Sequence, residues 1–307
     1  MSVELATQSS RTNVLISVGS LLTMVLWATC YPLISLSLPY APIMLTAFLR
    51  AAIAGVFLLV IASMLGRPFP KTRTVYFYIL GIGITATSIG FWGMFYAGSL
   101  ISPGLATVLT NTQPLIAGLL GSYLLKEYIG RRELIGTLVG FSGVMVISME
   151  SLLTMDAQSL SATAYVLLAA TGIATSNILL KKSAHHFDVL FGMGLQLLIG
   201  SLPLALLTWI QAPAQAVQWN WSFGMILLAL AIPGTALPFI MWFWLMDKAP
   251  LYKLNVYNFL TPAFGMYLGY AYFSETLTLT QWLGILLILL AIPLVNTANN
   301  MSSTIKR

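Results

Sequence analysis

Two stretches, PLIAGLLGSYLLKEYIGRRELIG at 114–136 and PAFGMYLGYAYFSETLTLTQWLG at 262–284, decide how this chain folds. Set one above the other at an offset of 148, Pro114 falls on Pro262, Gly121 on Gly269, Glu127 on Glu275 and Gly136 on Gly284. Four identities in the same order, without a gap, mark an internal repeat. The earlier part of each half matches more weakly, with Ala28-Thr29 against Ala174-Thr175 at an offset of 146.

Outward from these stretches the chain reads as ten apolar spans. They lie near 14–38, 41–65, 74–98, 102–125, 132–150, 161–180, 187–210, 221–246, 250–273 and 279–297. Each is close to the roughly 20 residues that cross a hydrocarbon core of about 30 Å. Of the 307 residues 58% are hydrophobic and 7% charged, against about 25% charged in soluble proteins. A soluble enzyme is excluded, and every loop is short. The fold class is all-α: a polytopic helical membrane protein.

The basic residues test that count. With a cytoplasmic N-terminus, the inside segments hold Arg11; Arg67, Lys71 and Arg73; Lys126, Arg131 and Arg132; Lys181 and Lys182; Lys248 and Lys253; Lys306 and Arg307. The outside loops hold none of the 14 Lys and Arg residues, and the remaining one, Arg50, lies deep within span two. This alternation follows the positive-inside rule, so the net charge of +6 reports topology rather than a nucleic-acid partner. Both termini are then cytoplasmic, and the first apolar segment is expected to stay as span one. Each repeat carries five spans, an odd number, so the second copy enters the membrane the other way up. The halves divide as 1–150 and 151–307. Inverted repeats place a solute site near the midplane, where the halves meet. Transport is the function this implies.

The segment SPGLATVLTNTQPLIAGLLGSYLLKEYIGRRELIGTLVGFSGVMVI and its second copy, APLYKLNVYNFLTPAFGMYLGYAYFSETLTLTQWLGILLILLAIPLV, resemble the EamA-type repeat of the drug/metabolite transporter superfamily. Trp27 in span one and Arg50 in LTAFLRAAIAG of span two fit the same pattern. The resemblance covers nearly the whole chain. It implies two EamA-like repeats around a central cavity and export or exchange of small metabolites. Small multidrug members of the superfamily carry an acid in span one; here span one has none.

Arg50 is the first site candidate, because a basic side chain deep in a span costs about 2.5–3.5 kcal/mol to insert. It can grip a carboxylate or phosphate through its fork of donors, or it can bond helix-end carbonyls and tie spans together. Pro114 and Pro262 break the hydrogen-bond ladder inside spans four and nine and release the carbonyls of Thr110 and Asn258. Beside them stand Asn111 and Gln113 in one copy, and Asn255, Tyr257 and Asn258 in the other. Broken backbone at membrane depth is allowed only next to protein or a wet cavity. The aromatic candidates are Trp27 and Tyr31 of span one, Trp92, Phe95 and Tyr96 of span three, and Trp242 to Trp244 of span eight. Trp92, Phe95 and Tyr96 share one helix face. Asn177 of span six and Gln196 of span seven complete the polar set, while Gly136-x3-Gly140 and Gly265-x3-Gly269 suit close helix contacts.

Enzyme chemistry finds no support. The two histidines, His185 and His186, share a loop, and no span contains a pair of acids. The one cysteine, Cys30, allows no disulfide or Cys-based zinc site. No cofactor and no metal is expected. The expected solute is an amino acid or a similar metabolite, exported by alternating access. Organic phosphates or nucleotide sugars, hydrophobic drugs, and lipid scrambling or scaffolding are the alternatives. A bacterial inner membrane fits the compact chain, with membrane lipid as its surroundings and monomer or homodimer both open.

Overall fold

The computed structural model describes residues 2–101, 103–126, 130–153, 157–183, 186–211, 217–273 and 278–302. Every element among them is helical. That is what hydrocarbon demands, since a helix satisfies its own backbone where no water can. Six helical segments are long and apolar enough to cross a membrane: Asn13–Ser37, Ile43–Met64, Arg73–Leu100, Leu160–Ser183, Val189–Gln211 and Trp221–Lys248. They are spans one, two, three, six, seven and eight. Spans five and ten are the helices Arg131–Leu153 and Leu279–Ser302.

Spans four and nine are each broken in two. Span four consists of Pro103–Thr110 and Gln113–Leu124, and span nine of Leu251–Asn258 and Leu260–Phe273. At the offset of 148 the first parts end at matched residues, Thr110 and Asn258, each four residues before its proline, where the released carbonyls lie. Span one is also interrupted, at Thr29, between Ser2–Ala28 and Cys30–Ser37. Its counterpart span six runs unbroken over Ala157–Ser183. Thr29 turns its hydroxyl back onto the Leu26 carbonyl at 2.7 Å, and the sequence reading had no break there. Span two ends on Gly66, whose φ of 61° suits glycine. Arg67 N–H then closes the turn onto the Ala62 carbonyl at 3.0 Å.

Spans three and eight each contain a π turn, at Gly83–Ile89 and Ile232–Ala236. In span eight Pro233 supplies a reason, because it has no N–H for the ordinary ladder. Two pairings hold the frame. Spans two and seven approach through Gly55 and Gly194, where a Cβ on Gly55 would sit 3.0 Å from the Gly194 carbonyl. Spans five and ten meet at Gly143, where a Cβ would come 2.7 Å from the Gly284 carbonyl. Leu119, Leu202, Leu206 and Leu286 stand exposed around the outside, as a lipid-facing surface needs. The ten helical spans form two inverted five-helix repeats around a central cavity.

Candidate functional site

The breaks of spans one, four and nine, the π turn of span three and the helix that follows the π turn of span eight surround a cavity of about 130 Å³. That is room for on the order of ten water molecules. Spans one to four and six to nine line it, and spans five and ten do not reach it. The two repeats therefore contribute matching sets of helices.

One wall is aromatic. The Trp27 ring lies 5.2 Å from Trp242 and 6.3 Å from Phe239, and Phe239 lies 6.4 Å from Phe91. Trp242 Nε1 donates to Asn177 Oδ1 at 3.1 Å, which fixes the indole against span six. The rest of the lining includes a polar group. Tyr31 and Thr110 share a 2.6 Å hydrogen bond between the breaks of spans one and four. Asn258 Nδ2 donates to Gln113 Oε1 at 3.1 Å, joining the breaks of spans nine and four. Asn111 turns back to the Thr107 carbonyl at 2.7 Å. Gln113 Nε2 and Asn258 Oδ1 are buried and have no partner among the described residues.

Arg50 projects from span two and is 1% exposed. Its Nε donates to Thr235 Oγ1 at 2.6 Å, and Nη2 to the Gly234 carbonyl at 3.1 Å and to Cys30 Sγ at 3.2 Å. Nη1 has only the Met94 sulfur, at 3.7 Å. The guanidinium carbon sits 4.4 Å from the Phe91 ring centre and 5.5 Å from that of Phe95, a cation–π arrangement. Among the described residues no acid lines the cavity. Arg50 ties span two to the π turn of span eight, and it also lines the cavity.

Of the predicted site residues, Trp27, Tyr31, Arg50, Asn111, Gln113, Asn177, Trp242 and Asn258 come together on the cavity. Trp92, Tyr96 and Tyr257 do not line it. Trp92 and Tyr96 pack on Tyr165 of span six, at ring distances of 5.8 and 4.5 Å. Tyr257 donates to Ser17 Oγ at 2.8 Å, fastening span nine to span one. Helical spacing told which residues share a face, not which neighbour that face meets. Sequence reasoning missed Thr235, Thr87, Cys30, Met94, Phe91 and Phe239. Proline at 233 was the one available signal, and it lies two residues before Thr235. Glu127, Glu275 and His185 lie outside the described residues.

The Tyr31–Thr110 bond is directly testable. Tyr31→Phe removes a net contribution of about 1 kcal/mol, and the unfolding temperature in detergent should fall by about 2 °C. An unchanged melting curve would show that the junction of the two breaks is held by packing alone.

A likeness to known proteins spans both halves. Residues 15–149 and 160–297 each match the EamA-like transporter family. A chloroplastic WAT1-related protein of Arabidopsis thaliana is 29% identical over 279 residues, covering 88% of this chain and 66% of that protein. The uncharacterized transporter YvbV of Bacillus subtilis is 28% identical over 274 residues, covering 89% of this chain and 88% of its own. A Salmonella typhimurium protein named as a probable amino-acid metabolite efflux pump is 27% identical, covering 88% of this chain and 91% of its own. A solved crystal structure superposes with a TM-score of 0.78 at 18% identity, over 92% of this chain and 98% of that one, and shares the fold. With both repeats matched and the ten-span frame in place, the chain is an integral multi-pass membrane protein belonging to the EamA-like transporter family.

Proposed function

We propose that the protein is a secondary transporter that exports a small carboxylate-bearing metabolite, an amino acid or a close relative, by alternating access of its two repeats. The observation that carries this reading is the Arg50 charge, buried at the cavity wall with no acid lining the cavity among the described residues. A buried cation without a counter-charge is costly. Two of its four hydrogen-bond acceptors are sulfur atoms, which bind N–H weakly. A carboxylate entering the cavity supplies both the charge and better acceptors. The Asn258 Oδ1 acceptor, without a partner, suits an ammonium, and the Trp27–Trp242–Phe239 wall suits an apolar body. Organic phosphates carry more charge than one arginine matches. The Salmonella relative's name agrees with an amino-acid metabolite. The basic loops favour cytoplasmic termini, and a bacterial inner membrane fits the bacterial relatives.

Counterflow in proteoliposomes tests this. With labelled leucine, phenylalanine, a sugar phosphate and a drug cation, exchange is expected for the amino acids. It should not respond to an imposed pH gradient, because no titrating carboxylate lines the cavity among the described residues. If labelled lipid moves and no solute does, the protein is a scramblase and the reading is wrong.

A further inference from the structure

Arg50 and Gln196 stand at matched positions in the two repeats, at the offset of 146 that also aligns Ala28-Thr29 with Ala174-Thr175. Thr87 and Thr235 are matched at the offset of 148 that relates the two prolines. The structure joins these four residues crosswise. Arg50 of span two donates to Thr235 in the π turn of span eight, at 2.6 Å. Thr87, in the π turn of span three, donates to Gln196 Oε1 of span seven at 2.8 Å. Each repeat thus holds its own polar residue with a threonine of the other. Both threonines are 0% exposed, and Arg50 and Gln196 are each 1% exposed. The second crossing is as close as the first: Ser88 Oγ also donates to the Gly200 carbonyl at 2.8 Å.

One group in this arrangement is left over. Gln196 lines the cavity, yet its Nε2 is buried with no acceptor among the described residues. A buried amide nitrogen without a partner costs about 1–3 kcal/mol, more than a single threonine bond returns. A tie between helices alone needs no such donor. In this structure the Thr87 hydroxyl donates to Oε1, which leaves the nitrogen as the free end of the amide.

We propose that Gln196 is a substrate-binding residue, the second repeat's counterpart of Arg50, and that its Nε2 donates to the carboxylate end of the transported solute. Thr87 is then a positioning residue acting through Gln196. This assignment rests on the carboxylate-metabolite reading. It gives the anionic end of the solute one donor from each repeat, which is what a site shared by two rocking halves requires.

The test compares leucine and phenylalanine with the amines that lack their carboxyl groups, by titration calorimetry on purified protein and by counterflow. Gln196→Leu should weaken amino-acid binding about tenfold, with KM rising in step and the maximal rate holding within about threefold. The same change should alter amine binding less than about twofold. Thr87→Val should lose about threefold and Thr87→Ser should restore it. If Gln196→Leu fails to fold, Gln196→Glu keeps the oxygen that Thr87 needs while opposing the carboxylate, and it should lose more than tenfold. A variant with a lowered unfolding temperature and an unaltered KM would reduce Gln196 to a structural tie and overturn the proposal. Wild-type protein that binds amino acids without moving them refutes transport and leaves the Gln196 comparison intact. Wild-type protein that moves them, with Gln196→Leu unchanged, refutes the Gln196 assignment alone.

Discussion

Arg50→Ala is expected to reduce amino-acid exchange at least a hundredfold while lowering the unfolding temperature by only about 4 °C. The guanidinium donates to Thr235, Gly234, Cys30 and Met94, and bonds from a charged donor contribute about 1.5–3 kcal/mol each. Truncation also removes the packing of its stem and the contact with Phe91 at 4.4 Å. Against these losses stands the relief of no longer burying a charge without a counter-ion. The net stability change is therefore small, about 2 kcal/mol. Transport has no such compensation, because the anionic solute loses the one cation that lines the cavity among the described residues, and about 3 kcal/mol of binding is a hundredfold. Arg50→Lys should not rescue, since one ammonium cannot reach Thr235, Gly234 and a solute at once. Stopped exchange in a protein that purifies as well as wild type is the expected outcome. Full exchange by Arg50→Ala would remove Arg50 from the mechanism.

Gly143→Leu is expected to abolish the folded protein. A Cβ at Gly143 would lie 2.7 Å from the Gly284 carbonyl oxygen and 2.9 Å from Ile288, and backbone cannot turn aside as a flexible side chain does. Overpacking by single methylenes already costs about 1–3 kcal/mol. Four added carbons at a backbone contact cost about 4–12 kcal/mol on that scale, comparable with the whole stability of an ordinary domain, about 5–15 kcal/mol, unless spans five and ten separate. Gly118→Leu is the matched control, because nothing lies within 4 Å of a Cβ there and leucine is a better helix former than glycine. Size-exclusion profiles of detergent extracts should show an aggregated or absent Gly143→Leu peak beside a normal Gly118→Leu peak. A monodisperse Gly143→Leu protein would contradict the close pairing of spans five and ten.

The spans and the matched breaks were legible because hydropathy and proline act locally. A run of apolar residues has one solution in lipid, and Pro114 and Pro262 act on carbonyls four residues away whatever surrounds them. Arg50 was legible as an anomaly, since one charge inside LTAFLRAAIAG needs a reason. Its partners were not, because they depend on how span eight bends, and a π turn has no composition of its own. Gly83–Ile89 contains no proline, so nothing in its letters announced the turn that brings Thr87 to Gln196. The face read for Trp92, Phe95 and Tyr96 holds for Trp92 and Tyr96, while Phe95 turns to Phe91 and Arg50. That Trp92 and Tyr96 meet Tyr165 rather than the cavity follows from the packing of spans three and six, which a periodicity does not encode. The break at Thr29 stands where Pro32 releases the Ala28 carbonyl, the same relation as in spans four and nine, a local signal that the sequence reading passed over.

The central claim is that this cavity opens by turns to the two sides of the membrane, and Cys30 reports on it without engineering. It is the one cysteine of the chain, it lines the cavity, and it is 2% exposed, held between Arg50 and the Gly234 carbonyl. Its alkylation by a small membrane-impermeant thiol reagent should be followed in right-side-out and inside-out vesicles, with and without an exchanged amino acid. The account predicts labelling from either face, slowed by the amino acid in both preparations. Labelling from neither face, in vesicles that exchange the solute, would place the path elsewhere.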